Sequence, residues 1–145
     1  MNINNRIRLA ESDDEILDCY AVMSELRPHI ARDEFLPRVQ RQTETNGFRL
    51  AYLVEDEEVK AVAGIRISEW LGGGKYMEIE DLVAKTGERS KGFGGELFDW
   101  LVEYAKQENC AQIKLVSHVK RFAAHKFYLK KGMIIEAHYF SMKLE

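Results

Sequence analysis

A strand, a charged glycine-rich loop and a long amphipathic helix follow one another without a break between residues 76 and 105. The run reads YMEIEDLVAKTGERSKGFGGELFDWLVEYA, with a loop core of Arg89-Ser90-Lys91-Gly92-Phe93-Gly94-Gly95. Glycines let a backbone approach a ligand closely, and the first N–H groups of a helix have no intrahelical acceptor, so the loop suits a pyrophosphate. The spacing is neither G-x-G-x-x-G nor G-K-[ST], which sets aside the dinucleotide and ATPase loops. Taken alone, the same residues would serve equally well as an ordinary tight turn. The helix that follows presents Leu97, Phe98, Trp100, Leu101, Tyr104 and Ala105, an apolar band wide enough to cross a sheet. CAQIKLVS, residues 110–117, then reads as a strand reached by a crossover, which implies parallel pairing.

The strand that opens this run belongs to a meander. Asn46-Gly47 marks a turn before FRLAYLV (48–54), and the acidic run Glu55-Asp56-Glu57-Glu58 forms a hairpin turn. In VKAVAGIRIS (59–68) the residues alternate, with Val59, Ala61, Ala63, Ile65 and Ile67 on one face and Lys60, Arg66 and Ser68 on the other. Trp70-Leu71-Gly72-Gly73-Gly74 is a loop tip, and residues 76–83 form the third strand. Glu78, Glu80 and Asp81 interrupt that strand. Two successive acidic residues cannot share one solvated face, so a bulge or splay near 80–82 is expected, unless Asp81 is only a frayed end.

Upstream, IRLA (6–9) is a short strand and Ser12-Asp13-Asp14-Glu15 has the form of a capping box. The helix after it buries Ile16, Cys19, Tyr20, Met23 and Leu26, and Pro28 should end or kink it at Arg27. Residues 30–46 read as one or two short helices broken at Pro37. They form either one wall of a substrate site or a plain surface connection. Downstream, a helix over 119–130 stops at Lys131-Gly132. MIIE and HYFSMKL close the chain as a hairpin with Phe140, Met142 and Leu144 facing in. The order is βααβββαβαββ: a mixed, mostly antiparallel α/β sheet of about seven strands, with helices on both faces, in one domain spanning residues 1–145.

With 145 residues, 46% hydrophobic and 31% charged, such a domain needs neither disulfides nor metals for its core. A net charge of −3, with basic residues gathered only at Lys120, Arg121, Lys126, Lys130 and Lys131, points away from nucleic acid and mildly toward a cationic substrate. No run is apolar enough for a signal peptide or a membrane span, so a cytoplasmic protein without a membrane partner is expected. Cys19 and Cys110 read as buried free thiols, and the four histidines have no metal-ligand spacing.

Two motifs in this order resemble the GNAT superfamily of acyl-CoA-dependent N-acetyltransferases. The loop Arg89-Ser90-Lys91-Gly92-Phe93-Gly94 is similar to the family's Arg/Gln-x-x-Gly-x-Gly/Ala. Ala124-His125-Lys126-Phe127-Tyr128-Leu129-Lys130-Lys131-Gly132-Met133 resembles its later Ala-x-x-x-Tyr helix with a closing Gly-Phe, Met133 standing for the phenylalanine. An asparagine that often begins that later region is absent, and His118 lies close by.

The resemblance implies acetyl-CoA as co-substrate, no metal, and direct attack of a primary amine on the thioester. It implies a pyrophosphate held by Arg89, Ser90, Lys91, Gly92, Phe93, Gly94 and Gly95, with Ala124 also against the cofactor. It implies an N–H at Leu82 or Val83 for the thioester oxygen, and Tyr128 as proton donor to the leaving thiolate. An ammonium with a pKa of about 10 needs a base. Glu78 stands where the family's protein acetyltransferases carry theirs; Glu80 and Asp81 compete. The acceptor is expected to be a small cationic amine or a peptide or protein amine, with Glu25, Asp33 and Glu34 adding acidity near the cleft. A homodimer through the last hairpin and Trp70, and a non-catalytic acyl-CoA-binding module, are the other readings.

Overall fold

Alternating apolar residues in the middle of the chain pair into a meander that neighbouring helices cover on both faces. The computed structural model describes residues 6–145. Its elements run β1 (Ile7–Leu9), α1 (Asp13–Asp18), α2 (Tyr20–Leu26), α3 (Arg32–Asn46), β2 (Phe48–Glu55), β3 (Glu58–Trp70) and β4 (Gly74–Ala84). A 3-10 turn (Arg89–Lys91), α4 (Phe93–Gln107), β5 (Gln112–Lys114) and α5 (Phe122–Lys130) follow. The chain divides into two compact units, one through Lys114 and the other from Leu115 to Glu145.

In the first unit the strands lie in the order β1-β2-β3-β4-β5, antiparallel except for the parallel pair β4–β5. Phe48, Leu50 and Tyr52 of β2, Val62 of β3 and Val83 of β4 join Val22, Met23, Phe35 and Val39 in one buried cluster, so α2 and α3 cover that face. The alternate residues Ala51, Leu53, Ala61, Ala63 and Ile65 are just as buried and require cover on the opposite face. There α4 packs against β2, β3 and β4 through Leu97, Phe98 and Leu101. Truncating Leu97 or Leu101 to alanine would cost about 2–5 kcal/mol.

Several elements depart from the sequence pattern. Five strands form among the described residues, not about seven, because residues 133–145 contain none. Phe140, Met142 and Leu144, expected to face inward, are exposed. Period-two alternation says which face a strand would bury, not which edge completes its hydrogen-bond ladder. The first long helix is two, divided at Cys19, whose N–H reaches back to Ile16 with a tight three-residue bond. Conversely, α3 runs through Pro37 unbroken. Pro37 lies within two turns of the helix start, so it removes a single N–H, and the buried Phe35 and Val39 hold the helix against the sheet. Lys60, expected on a wet face, is buried; its ammonium meets Glu88 at 2.8 Å and Glu58 at 3.2 Å. Cys19 is fully buried, whereas Cys110 is half-buried.

The capping box forms as read: Ser12 Oγ accepts from Glu15 N at 3.1 Å, and Glu15 accepts from Ser12 N at 3.1 Å. Glu15 also accepts from the Tyr52 hydroxyl at 2.6 Å, while Arg8 Nε donates to that hydroxyl at 2.8 Å. The Tyr52 bond foremost, then the Ser12 backbone, lowers the Glu15 carboxyl from 4.5 to about 2. Burial foremost pushes Tyr52 up to about 12.

A carboxyl whose pKa falls on folding stabilises the fold fully above its unfolded value. Stability is therefore expected to decline as pH falls from 4.5 toward about 2. Glu15→Gln should flatten this acid limb by on the order of 1 kcal/mol after solvent screening, read by denaturant unfolding at stepped pH. A second expectation concerns Gly64 in β3, where a Cβ would lie 2.3 Å from Asp81 Oδ2 and 2.6 Å from Cζ of Phe48. Neither neighbour can give way easily, since Asp81 is ion-paired and Phe48 is core. Gly64→Ala should destabilise by about 1–3 kcal/mol, measured as a lowered denaturation midpoint.

Candidate functional site

Two irregularities coincide on β4. The hairpin with β3 pairs Arg66 with Glu78 and Ile65 with Ile79, then Gly64 with Asp81, leaving Glu80 as the extra residue of a bulge. On its other side β4 pairs with β5 only from Tyr76 to Glu78. From Ile79 to Ala84, including Leu82 and Val83, the outer edge of β4 therefore has no strand partner among the described residues. Among the described residues its backbone groups have no ladder partner on that side, although the Glu80 carbonyl accepts from Arg27 at 3.0 Å and the Ala84 carbonyl from Arg89 Nε at 3.0 Å. The expected bulge near 80–82 is present.

The three acidic residues have different surroundings. Asp81 is largely buried and accepts from Arg27 Nε at 2.8 Å; burial pushes its carboxyl up, and Arg27 opposes the shift. Glu80 is exposed and meets Arg66 Nε at 3.2 Å. Glu78 is half-buried and accepts no hydrogen bond from a described residue. Burial raises its pKa foremost, against the pull of Lys114 and Arg66. The Lys114 ammonium is itself held by aromatic faces, 3.3 Å from the Trp70 ring centre and 4.2 Å from that of Tyr76. Of the three, Glu78 combines uncommitted oxygens with a raised pKa.

Eleven residues beyond Glu78 the glycine loop begins at Arg89. Gly92 adopts φ +82° and ends the 3-10 turn, which lets the chain enter α4 directly. The first hydrogen bond closing α4 is Glu96 N to Gly92 O at 3.0 Å, so the N–H groups just before Glu96 are available. At Gly94 a Cβ would meet nothing closer than Ala84 Cβ at 3.8 Å, so the space above the helix start is open. Ser90 and Lys91 are exposed, whereas Phe93 is buried and serves the loop as an anchor. Glu25 of α2 accepts from Thr86 N at 2.9 Å and from Arg89 at 3.0 Å, tying the loop to α2. Glu88 joins Lys60 and Lys91. Glu96 pairs with Arg6. Free N–H groups, open space and two basic side chains fit a pyrophosphate.

Tyr128 and Ala124 lie in the second unit, on one face of α5 four residues apart. Tyr128 packs edge-on against Phe127 at 5.4 Å. Burial raises its hydroxyl pKa, with Arg121 opposing, so it is protonated at neutral pH. His125 meets the His118 carbonyl at 2.9 Å, which gives His118 a place in the turn before α5.

Beside the bulge, α2, α3 and the start of β2 enclose a cavity of about 300 Å³. Met23, Phe35, Val39, Phe48 and Leu50 supply its apolar lining, and Glu80 and Asp81 line it from β4. Arg27, His29, Arg38 and Gln42 line it as well. Residues 30–46 thus form a wall rather than a surface connection. Glu25, Asp33 and Glu34 are not among its lining residues. The basic lining escaped notice in the sequence because it comes from a turn and one helix face. Arg66 was readable: the loop tip at Gly72 places it opposite Glu78 by counting along the hairpin. Among the described residues, no group of three or more His, Cys, Asp or Glu could hold a metal ion, and no helix is long and apolar enough to cross a membrane.

The sequence model of the Acetyltransferase (GNAT) family matches residues 12–133. An uncharacterized N-acetyltransferase of Bacillus subtilis strain 168, YhdJ, is 31% identical over 130 residues, covering 89% of this chain and 92% of that protein. The aminoalkylphosphonate N-acetyltransferase of Salmonella typhimurium strain LT2 is 34% identical over 65 residues, 45% of this chain and 39% of that one. Among solved structures, a putative acetyltransferase from Agrobacterium tumefaciens strain C58 superposes with a TM-score of 0.81 at 20% identity, covering 95% of this chain and 99% of that one. With sequence and fold in agreement along nearly the whole chain, this protein belongs to the GNAT family of acetyltransferases.

Proposed function

We propose that the protein transfers an acetyl group from acetyl-CoA to a primary amine by direct attack in a ternary complex. The observation that carries this reading is the arrangement on β4: an uncommitted Glu78, a bulge and an unpartnered edge, leading into the glycine loop. Acetyl-CoA supplies an activated thioester carbonyl. The N–H groups of residues 92–95, with the side chains of Arg89, Ser90 and Lys91, hold its pyrophosphate, and helix α4 adds its positive end; the Lys91 N–H is already spent on the Glu88 carbonyl at 3.1 Å. Because Arg89 is partly neutralised by Glu25, it acts first as a loop brace and second as an anion contact.

An N–H at Leu82 or Val83, on the open edge of β4, donates to the thioester oxygen as negative charge develops there. Glu78 accepts the ammonium proton through water, leaving the lone pair free to form the C–N bond. As the C–S bond breaks, Tyr128 protonates the sulfur and recovers the proton that the nitrogen sheds on becoming an amide. Ala124, one turn before Tyr128, leaves room for the cofactor chain. Glu80, ion-paired to Arg66, shapes the bulge and is the second candidate base. The name of the Salmonella relative supports a small amine as acceptor, and the modest cavity agrees.

Coupled CoA release with a panel of amines tests the reading. Acetyl-CoA binding without turnover of any amine would make the protein a binding module instead. Glu78→Gln should lower kcat by about 10²-fold or more while acetyl-CoA affinity holds. Since only the carboxylate accepts a proton, wild-type kcat/KM should climb with pH through a group above the usual glutamate value of 4.5, and the mutant should lose that limb. Tyr128→Phe should depress turnover far more than acetyl-CoA affinity; equal rates would remove its acid role.

A further inference from the structure

The cavity beside the bulge is lined by two arginines, Arg27 and Arg38, as well as by two carboxylates, a lining that a purely cationic acceptor does not match. Both of its carboxylates already face arginines: Asp81 meets Arg27 at 2.8 Å, and Glu80 meets Arg66 at 3.2 Å. Arg27 is committed twice, since its second nitrogen donates to the Glu80 carbonyl at 3.0 Å. Arg38 is different. It lines the same cavity, is half-buried, and makes no ion pair or hydrogen bond with a described residue.

Its direction follows from α3. Phe35, Arg38, Val39 and Gln42 recur at three- and four-residue steps and share one helix face. Phe35 and Val39 are buried on that face, so Arg38 and Gln42, both half-buried, line the cavity beside them. A guanidinium in that position, with the Gln42 amide one turn on, is a fork of donors suited to a carboxylate or a phosphonate. At about 300 Å³ the cavity equals roughly ten water molecules. That volume suits a short amino acid or amino phosphonate.

Resting on the acetyl-transfer reading, we infer that the acceptor carries an anionic group besides its amine, and that Arg38 binds this group as the specificity-determining residue. Glu80 and Asp81 line the cavity at the bulge, next to Glu78 in the strand, so an acceptor anchored at Arg38 extends its other end toward the base. The anion also supplies the ion-pair partner that Arg38 does not have among the described residues, which a diamine would not.

The test compares initial rates of the purified full chain with acetyl-CoA and four matched amines: 3-aminopropylphosphonate, 4-aminobutyrate, butylamine and 1,4-diaminobutane. Both anionic amines should exceed butylamine in kcat/KM by about tenfold or more, and the diamine should be slowest. The lower KM of the two tells phosphonate from carboxylate. Arg38→Gln should raise KM for the anionic amines by about tenfold, with kcat, butylamine KM and acetyl-CoA affinity unchanged, and Arg38→Lys should restore part of the loss. A diamine or butylamine preferred over both anionic amines, or an unaltered KM in Arg38→Gln, overturns the inference while leaving acetyl transfer standing. No turnover of any amine, with acetyl-CoA still bound, overturns both.

Discussion

The Arg27–Asp81 ion pair is the contact on which the site depends. Asp81 is the residue at which β4 resumes pairing after its bulge, and its carboxylate lies over Gly64, where an added Cβ would clash with it. Burial alone would drive this carboxyl toward its neutral form. Arg27, at the end of α2, offsets that cost and bonds the Glu80 carbonyl of the bulged residue as well. Removing Arg27 leaves the largely buried Asp81 carboxylate uncompensated, a loss that solvent at the exposed side of the guanidinium moderates. Here such a loss would also release the bulge, since the same guanidinium holds both.

A bulge fixed in this way has two effects. It turns Glu80 toward Arg66, and it separates the carboxylate chemistry from the open backbone edge that follows. The glycine loop is braced by a parallel set of contacts: Glu25 from α2 to Thr86 and Arg89, and the buried Lys60 to Glu88. Lys60 is itself the extra residue of an irregularity between β2 and β3, where Leu53 pairs with Ala61 and Val54 with Val59. Both segments of the candidate site in this unit therefore rest on places where the antiparallel ladder skips a residue. A regular sheet would have paired those backbone groups and pointed Lys60 and Glu80 elsewhere.

The residues near the bulge differ in how readable they were. Glu78, Glu80 and Asp81 stood out because adjacent acids cannot both face solvent from one strand, and the loop was clear from its glycines. The charges of the cavity were not clear. Arg27 and Arg38 are separated by a turn and lie among many other basic residues, and nothing in their spacing marks them as neighbours of β4. Glu25, Asp33 and Glu34 looked like contributors to an acidic cleft. Instead Glu25 braces the loop, and the other two are outside the cavity.

Local pattern was enough for the meander, the capping box at Ser12, the crossover helix and the loop at Arg89–Gly95, because each depends on neighbours a few residues apart. It also carried the family, since both motifs are short and contiguous. Only the tertiary structure decided that α3 continues through Pro37, that the sheet of the described residues has five strands, and that residues 133–144 form no hairpin. It alone decided which carboxylate is free, because Glu80 and Asp81 acquire their arginines from elements distant in sequence. Alternation and helical periodicity specify faces. What meets those faces depends on long-range packing and charge pairing, which a linear pattern does not encode.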